Sequence, residues 1–113
     1  AIMSNDVNDP KYGAEDSFEN MKLFAQNNKF TFPYVYDETQ NTGRTYDAVC
    51  TPDFFGFNAK NELQYRGRLE ASQQQLIPDA KKELLEAMLQ IAETGIGPKD
   101  QIPSIGCSIK WKE

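Results

Sequence analysis

The clearest hydrophobic pattern in the chain is a short apolar run behind a proline, Pro52-Asp53-Phe54-Phe55-Gly56-Phe57. Proline has no backbone N–H to donate, so it stands at the first residue of a strand or on a sheet edge. The run therefore predicts a strand from Asp53 to about Asn58. Three phenylalanines in so short a run favour a strand buried on both faces, as in the middle of a helix-covered sheet.

A second strand follows after a polar turn at residues 59–62. Residues Leu63–Leu69 alternate cleanly between two faces, which is the period of a strand. One face carries Leu63, Tyr65, Gly67 and Leu69, and the other carries Gln64, Arg66 and Arg68. The short polar connection predicts an antiparallel hairpin, and the charged face suits a strand near the sheet edge.

Helical periodicity appears on both sides of this hairpin. Asp16 and Glu19 form a capping-box pattern for a helix from Ser17 to about Asn28. A brief helical segment is predicted over residues 38–46. A longer helix is predicted from Pro78 to about Glu93, with Gly95 as its stop. The predicted apolar faces are Phe18, Met21, Phe24 and Ala25 in the first helix and Ala80, Leu84, Ala87, Met88 and Ile91 in the last.

Two further β segments precede the proline. Residues 1–4 are typical of the end of a buried strand, and residues 32–36 form a short β-rich run that contains Pro33. Helices and strands thus alternate early, and a hairpin and a final helix close the chain. This order predicts an α/β fold with a central mixed sheet flanked by helices.

The length of 113 residues limits the chain to one domain. Its net charge is −5, and lysine and arginine form no cluster that would neutralise a phosphate backbone. No apolar segment approaches the length of a membrane span. Nucleic acid and membrane partners are therefore not predicted.

The chain has two cysteines, Cys50 and Cys107, and no histidine. This composition argues against a zinc site or a Ser-His nucleophile, so neither a metal nor a cofactor is predicted. Asp47 and Asp53 stand near Cys50 in sequence, where a reactive thiolate needs a cation or a helix N-terminus. An inert, buried Cys50 is favoured, with a resolving or sensing thiol as the alternative.

Three other features have competing interpretations. A Cys50–Cys107 disulfide requires that the tail fold back over the proline end of the sheet, in an oxidising compartment. The acidic loop Asn5–Pro10 lacks the glycine and the glutamate of a calcium loop, so an ordinary Asx-rich turn is favoured. Trp111 is expected to pack on its own domain rather than to anchor a partner.

The segments Cys50-Thr51-Pro52-Asp53-Phe54-Phe55 and Ser104-Ile105-Gly106-Cys107-Ser108-Ile109-Lys110-Trp111 carry a family resemblance. Together with Ala1-Ile2-Met3-Ser4-Asn5-Asp6, they make the chain similar to bacterial redoxin-domain proteins. That group belongs to the superfamily of alkyl hydroperoxide reductases, thiol-specific antioxidants and thiol-disulfide oxidoreductases. The resemblance implies the C-terminal part of a thioredoxin-like fold, truncated at the N-terminal strand and helix that carry the redox cysteines.

In such folds the residue before a cis-proline pairs through its backbone with an extended substrate. The resemblance therefore implies a cis Thr51–Pro52 bond and a substrate-binding role for both residues. It implies no catalytic residue in this chain, because the redox pair is missing, and it leaves Cys50 and Cys107 as candidate redox thiols. The domain is predicted over residues 1–97, with residues 98–113 as a tail packed on it or extending from it.

The leading hypothesis is a thiol-disulfide oxidoreductase or peroxiredoxin-like antioxidant protein in its complete form. Its partners would be protein disulfides, small disulfides or peroxides, and the fragment is expected to self-associate through an exposed sheet edge. The alternative is a non-catalytic, thioredoxin-like protein-binding module. The cytoplasm is the favoured compartment, with the periplasm as the alternative if an upstream signal peptide exists.

Overall fold

The computed structural model of the chain describes residues 1–72 and 75–112. Helices and small two-stranded sheets make up the described part, so the α/β class is confirmed. The chain divides into two compact units. The first contains residues 1–49 and the chain from Ser108 onward, and the second contains Cys50–Cys107.

The sequence predicted a division after residue 97 instead. Residues 98–107 pack within the second unit, and the following residues belong to the first. The domain boundary after residue 97 stays a prediction. The predicted polar connector over residues 70–77 falls partly outside the described residues.

The first unit is built around a parallel strand pair. Strand β1 (Ile2–Met3) pairs with β2 (Val35–Tyr36), with Ile2 opposite Val35. Met3 faces the core at 8% exposure, whereas Ile2 is 49% exposed and Val35 48%. The predicted strand at residues 1–4 is therefore confirmed, but its burial is one-sided. The helical segments of this unit are a 3-10 turn (Gly13–Asp16), α1 (Phe18–Asn27) and α2 (Asn41–Thr45).

Helix α1 begins as predicted, but its cap and its packing differ. Ser17, rather than Asp16, is the N-cap, and its hydroxyl accepts the Asn20 N–H at 3.2 Å. Met21 is the buried residue of the helix at 4% exposure. Phe18 is 53% exposed and Phe24 54% exposed, so the predicted apolar face is buried mainly at Met21.

Phe24 contacts an aromatic cluster in place of the core. Its ring meets Phe30 edge-on at 5.5 Å between centroids, and Phe30 stacks on Phe32 at 4.5 Å. Tyr34 completes the cluster at 5.3 Å from Phe30. Pairs at these distances stabilise a fold even at a partly exposed surface. The cluster links the end of α1 to the approach of β2.

Buried polar side chains join the two ends of the chain within this unit. Gln40 is 2% exposed, and its amide nitrogen donates to the carbonyls of Ser4 at 2.8 Å and Lys110 at 2.9 Å. Its amide oxygen accepts the Lys112 N–H at 2.9 Å. All three bonds are to backbone groups, as the bonds between paired strands are. Gln40 therefore holds residues 110–112 against the start of the chain.

Asp37 forms a second buried centre at the start of α2. One carboxylate oxygen accepts the Ser4 hydroxyl and the Gly43 N–H, both at 2.8 Å. The other accepts the Thr42 N–H at 3.3 Å. Burial opposes ionisation, but these donors outweigh it and lower the pKa of Asp37 below its ordinary value.

Trp111 packs on its own unit, as predicted. The Arg44 guanidinium lies over the Trp111 ring at 4.3 Å, which is a cation–π contact.

The acidic loop is an Asx turn, also as predicted. Asp6 accepts the Asn8 N–H at 3.0 Å, and Asp9 accepts the N–H groups of Lys11 and Tyr12 at 2.9 and 2.8 Å.

The second unit centres on the predicted antiparallel hairpin. Strand β4 (Phe54–Phe57) pairs with β5 (Leu63–Gly67), with a bulge between Gly56 and Phe57. Helix α3 (Glu83–Thr94) covers one face of the hairpin. The core there consists of Tyr65 at 1% exposure, Ala87 at 2% and Ile91 at 4%, with Leu84 and Met88 packed against it.

Two predictions about this unit are wrong. Phe54 and Phe55 are only half-buried and Phe57 is 37% exposed, because α3 covers one face of β4 rather than both. Helix α3 starts at Glu83, not at Pro78. Residues before it form turns instead, with Asp79 at a positive φ of 54° and Ala71 N–H bonded to the Lys81 carbonyl. Gly95 ends the helix in the left-handed conformation, as predicted.

A third strand pair joins β3 (Cys50–Thr51) and β6 (Cys107–Ser108).

Among the described residues, no helix is long and apolar enough to cross a bilayer. No group of three or more side chains within that part of the chain is arranged to hold a metal ion.

We predict that Gln40→Ala lowers the free energy of unfolding by about 1–3 kcal/mol, because it leaves backbone groups inside the fold without their hydrogen-bond partner. Urea unfolding measures the change. Gln26→Ala on the exposed side of α1 is the matched control and is expected to have almost no effect. Equal loss in both variants would show that the Gln40 bonds do not contribute.

The lowered pKa of Asp37 predicts acid sensitivity of a definite sign. A carboxyl whose pKa is depressed by folding stabilises the protein above its ordinary pKa, and this contribution is lost as pH falls through the lower, folded value. Asp37→Asn should therefore flatten part of the decline in unfolding free energy below about pH 4. An unchanged pH profile in the variant would contradict this assignment.

Candidate functional site

The Thr51–Pro52 turn stands between β3 and β4, where the resemblance implied substrate binding. The peptide bond between Thr51 and Pro52 is cis, as the resemblance implied. The substrate-binding role of the two residues stays a prediction. Both side chains are exposed. The turn leads directly into the hairpin whose packing against α3 forms the core of the second unit. The turn is therefore exposed, and the hairpin that follows it is packed against α3.

A small groove opens beside Pro52, with a cavity volume of about 100 Å³. Its surface is mainly apolar and includes Phe54, Leu69 and Ile105. The polar lining residues are Arg68, Glu70, Ser72 and Ser104. Sites for whole small-molecule ligands are typically about 300–1,000 Å³. The groove is the size of a single side chain rather than of a cofactor.

Arg68 is held by Glu83 at the start of α3. Its Nε atom donates to Glu83 Oε1 at 2.9 Å, and its Nη2 atom pairs with the same oxygen. The side chains are 20% and 10% exposed. Burial opposes ionisation of Glu83, but Arg68 outweighs it and lowers the pKa of that carboxyl. The pair fixes the guanidinium in the wall of the groove.

The C-terminal tail supplies the other side of the groove. We call residues Gly97–Cys107 the tail strap. Arg68 N–H donates to the Ile102 carbonyl at 3.0 Å, and Ser104 Oγ donates to the Gly67 carbonyl at 2.7 Å. A Cβ on Gly67 would overlap the Ile102 carbonyl, so the approach requires glycine.

The tail strap also follows the outer edge of β5 further back. Gln101 Oε1 accepts the Arg66 N–H at 2.8 Å, and Gln101 Nε2 donates to the Gln64 carbonyl at 2.9 Å. Gly97 N–H donates to Gln64 Oε1 at 3.0 Å. This edge of β5 is therefore covered by side-chain amides and backbone from the same chain. Self-association through a sheet edge stays a prediction.

Gly106 brings the tail strap against the turn itself. A Cβ at residue 106 would overlap the Thr51 carbonyl oxygen and crowd the Pro52 nitrogen. Cys107, the next residue, begins the strand that pairs with β3. Backbone groups of Thr51 are thus already engaged by an extended segment of the same chain.

Cys50 lies under this segment and is poorly suited to nucleophilic chemistry. It is partly buried, and its S–H donates to the Ser104 carbonyl at 3.8 Å. Burial and then the Asp53 carboxylate raise the pKa of the Cys50 thiol, while Arg66 lowers it to a smaller extent. The expectation of an unreactive Cys50 is supported, although its burial is only partial.

Cys107 is exposed, and neither cysteine forms a disulfide. Asp53 and Arg66 pair at 3.2 Å near Cys50, and Arg66 also lies over the Phe55 ring at 5.1 Å. The sequence had indicated only acidic neighbours for Cys50. Arg66 was missed because it stands on the partner strand of the hairpin, where Phe55 is its register neighbour.

Sequence reasoning also missed Ser104, Gly106 and Arg68 as parts of this site. They are far from Thr51 in sequence, and no local periodicity connects them. One signal was present: a glycine within a β-rich segment often marks a close approach of another backbone. The Ser-Ile-Gly-Cys segment has such a glycine at residue 106.

Two crystal structures resemble this chain over 99% of its length, each with a TM-score of 0.84. An uncharacterized conserved protein from Geobacillus kaustophilus is 46% identical, and a hypothetical protein from Sinorhizobium meliloti is 32% identical. The chain spans only 58% and 60% of their lengths, respectively. No protein-family model matches the chain, and no curated protein matches it significantly.

We predict that iodoacetamide modifies Cys107 faster than Cys50 near neutral pH, by at least about tenfold. Cys107 is exposed, whereas Cys50 is partly covered and has a raised pKa. Mass spectrometry of the two cysteine peptides gives both rates. Untreated protein should show two alkylatable thiols, and Cys50 reacting first would contradict the assignment.

Proposed function

We propose that this chain is part of a thioredoxin-like protein of the redoxin superfamily whose complete form exchanges thiols and disulfides or reduces peroxides. The observation that carries the proposal is the Thr51–Pro52 turn, exposed at the entry of a hairpin that a helix covers. The parallel β1–β2 pair before it and α3 after it occur in the order that the resemblance implies.

The reaction would use cysteines outside this chain. A cysteine of low pKa at a helix N-terminus attacks a disulfide sulfur, forms a mixed disulfide and releases one thiolate. A second cysteine then attacks the mixed disulfide, releases the reduced substrate and leaves an intramolecular disulfide. With a peroxide, attack on oxygen gives a sulfenic acid and releases water or an alcohol, and the second thiol resolves it with loss of water.

Thr51 and Pro52 would hold the substrate in this scheme. An extended segment that pairs with the Thr51 backbone gains main-chain hydrogen bonds without a specific sequence. The adjacent groove of about 100 Å³ is suited to one apolar side chain of that segment. A protein disulfide fits these features better than a bulky cofactor does.

A non-catalytic binding module is the second candidate. The raised pKa of the Cys50 thiol is compatible with it, because a binding module needs no activated thiol at the turn. In that case the turn and groove would recognise an extended protein segment without any redox step. The two functions differ in whether a Cys-x-x-Cys pair belongs to the same gene product.

The chain itself is expected to give no disulfide reduction above the dithiothreitol blank with insulin as substrate. A Cys50→Ser, Cys107→Ser double variant is the matched control and should give the same rate. Turnover well above the blank in the unaltered chain would refute the assignment of chemistry to cysteines outside it.

The second arm uses the complete gene product. If an upstream strand and Cys-x-x-Cys pair are encoded, that protein should reduce insulin or peroxide, and replacing the pair with serine should abolish turnover. A gene that encodes no such strand and cysteine pair before Ala1 would instead favour the binding module.

A further inference from the structure

The tail strap does more than cover the edge of β5, because its last residues lie on the proposed substrate position. Ser104 and Ile105 line the groove beside Pro52, and Gly106 meets the Thr51 carbonyl. Cys107 then enters the strand that pairs with β3. The segment contacts the turn through its backbone, bonds the Gly67 carbonyl of β5 through the Ser104 hydroxyl and presents one apolar side chain to the groove, which are the contacts expected from a bound peptide.

We propose that Ser104–Cys107 are a built-in occupant of the substrate site, so that an extended substrate binds Thr51 only after this segment leaves. The inference rests on the substrate role proposed for Thr51 and Pro52. It adds a regulatory state, in which the chain blocks its own site, and it describes what the site accepts.

The occupant defines a recognition pattern. The residue against the Thr51 carbonyl must be glycine, because any Cβ there would overlap that oxygen. The residue before it places an apolar side chain in the wall of the groove, as Ile105 does. The residue before that donates a hydrogen bond to the Gly67 carbonyl, as Ser104 does at 2.7 Å. The substrate class is an extended polypeptide with a hydroxyl–apolar–glycine order.

The contacts of the segment are also of a kind that can be exchanged. Ile105 is 60% exposed although it lines the groove, and Gly106 and Cys107 are exposed. Ser104 is held by one hydroxyl bond to Gly67 and one weak thiol bond from Cys50, and Cys107 at the end of the segment begins the two-residue strand that pairs with β3. Segments with few buried apolar contacts open at low free-energy cost compared with global unfolding.

Gly106→Ala in the full chain tests the proposal, because the added methyl displaces the segment from Thr51 while leaving the hairpin and α3 unchanged. Lys99→Ala, an exposed change in the same tail strap, is the control. The first readout is iodoacetamide modification of Cys50, which the segment partly covers. We expect about a tenfold faster rate in Gly106→Ala and no change in Lys99→Ala.

The second readout is binding of a fluorescein-labelled peptide with the sequence of residues 103–110 and Cys107→Ser, followed by anisotropy. We expect the peptide to bind Gly106→Ala at least about tenfold more tightly than the unaltered chain. The same peptide carrying Gly106→Ala should not bind either protein, because its own methyl meets the Thr51 carbonyl.

Equal Cys50 rates in the variant and the unaltered chain would overturn the proposal. So would equal peptide affinity in the two proteins, or no peptide binding to either. If circular dichroism shows that Gly106→Ala is unfolded, Ser104→Ala replaces it. That change removes one hydrogen bond and adds no volume, and about a threefold effect in the same direction is expected.

These measurements contain no redox step, so their failure is distinguishable from failure of the proposed function. Peptide competition without any redox activity in the complete gene product would remove the oxidoreductase proposal and keep this inference. Redox activity with equal peptide binding in all variants would keep the oxidoreductase proposal and remove this inference.

Discussion

The bonding of the tail strap along the edge of β5 is the constraint on which the second unit depends. Gly106 is admitted to the Thr51 carbonyl only because it has no Cβ. From there back to Gly97, the strap supplies partners to Gln64, Arg66, Gly67 and Arg68. An uncovered strand edge is a site of aggregation, so the strap satisfies backbone groups and protects the hairpin at once.

In the first unit, buried polar side chains rather than a strap provide hydrogen-bond partners for backbone groups. Gln40 bonds the carbonyls of Ser4 and Lys110, and Asp37 collects donors from Ser4 and the start of α2. Each group is satisfied by several partners, which makes such networks stabilising and specific instead of costly. Large apolar side chains, by contrast, remain half-exposed there, including Phe18, Phe24 and Val35.

Local patterns allowed much of the secondary structure to be predicted. The hairpin followed from the alternation at Leu63–Leu69 and the end of α3 from Gly95. The position of α1 followed from the polar residues at its start, although Ser17 rather than Asp16 is the cap. The start of α3 was missed because hydrogen bonds between distant backbone groups, such as Ala71 with Lys81, prevailed over the local preference of Pro78 for a first helical turn. Burial of the phenylalanines was overestimated because a run of apolar residues does not reveal how many faces of a strand are covered.

The candidate site could be predicted only at its local part. Thr51, Pro52 and Cys50 are adjacent in sequence and carry the resemblance, whereas Ser104, Gly106 and Arg68 reach the site through tertiary packing. The charge environment of Cys50 was likewise incomplete, since Arg66 comes from the neighbouring strand. Residues joined by hairpin register or by a returning tail leave no periodic signal in a single sequence.

Amide hydrogen exchange at Arg68 is the most direct measurement of the central claim, that the tail strap is bonded to the edge of the hairpin in the folded chain. The Arg68 N–H donates to Ile102 of the strap at 3.0 Å, outside the hydrogen-bond ladder that joins β4 to β5. The account predicts slow exchange at Arg68, protected well above the rate of an unstructured peptide. Exchange at the unstructured rate, with Tyr65 in β5 still protected, would contradict it.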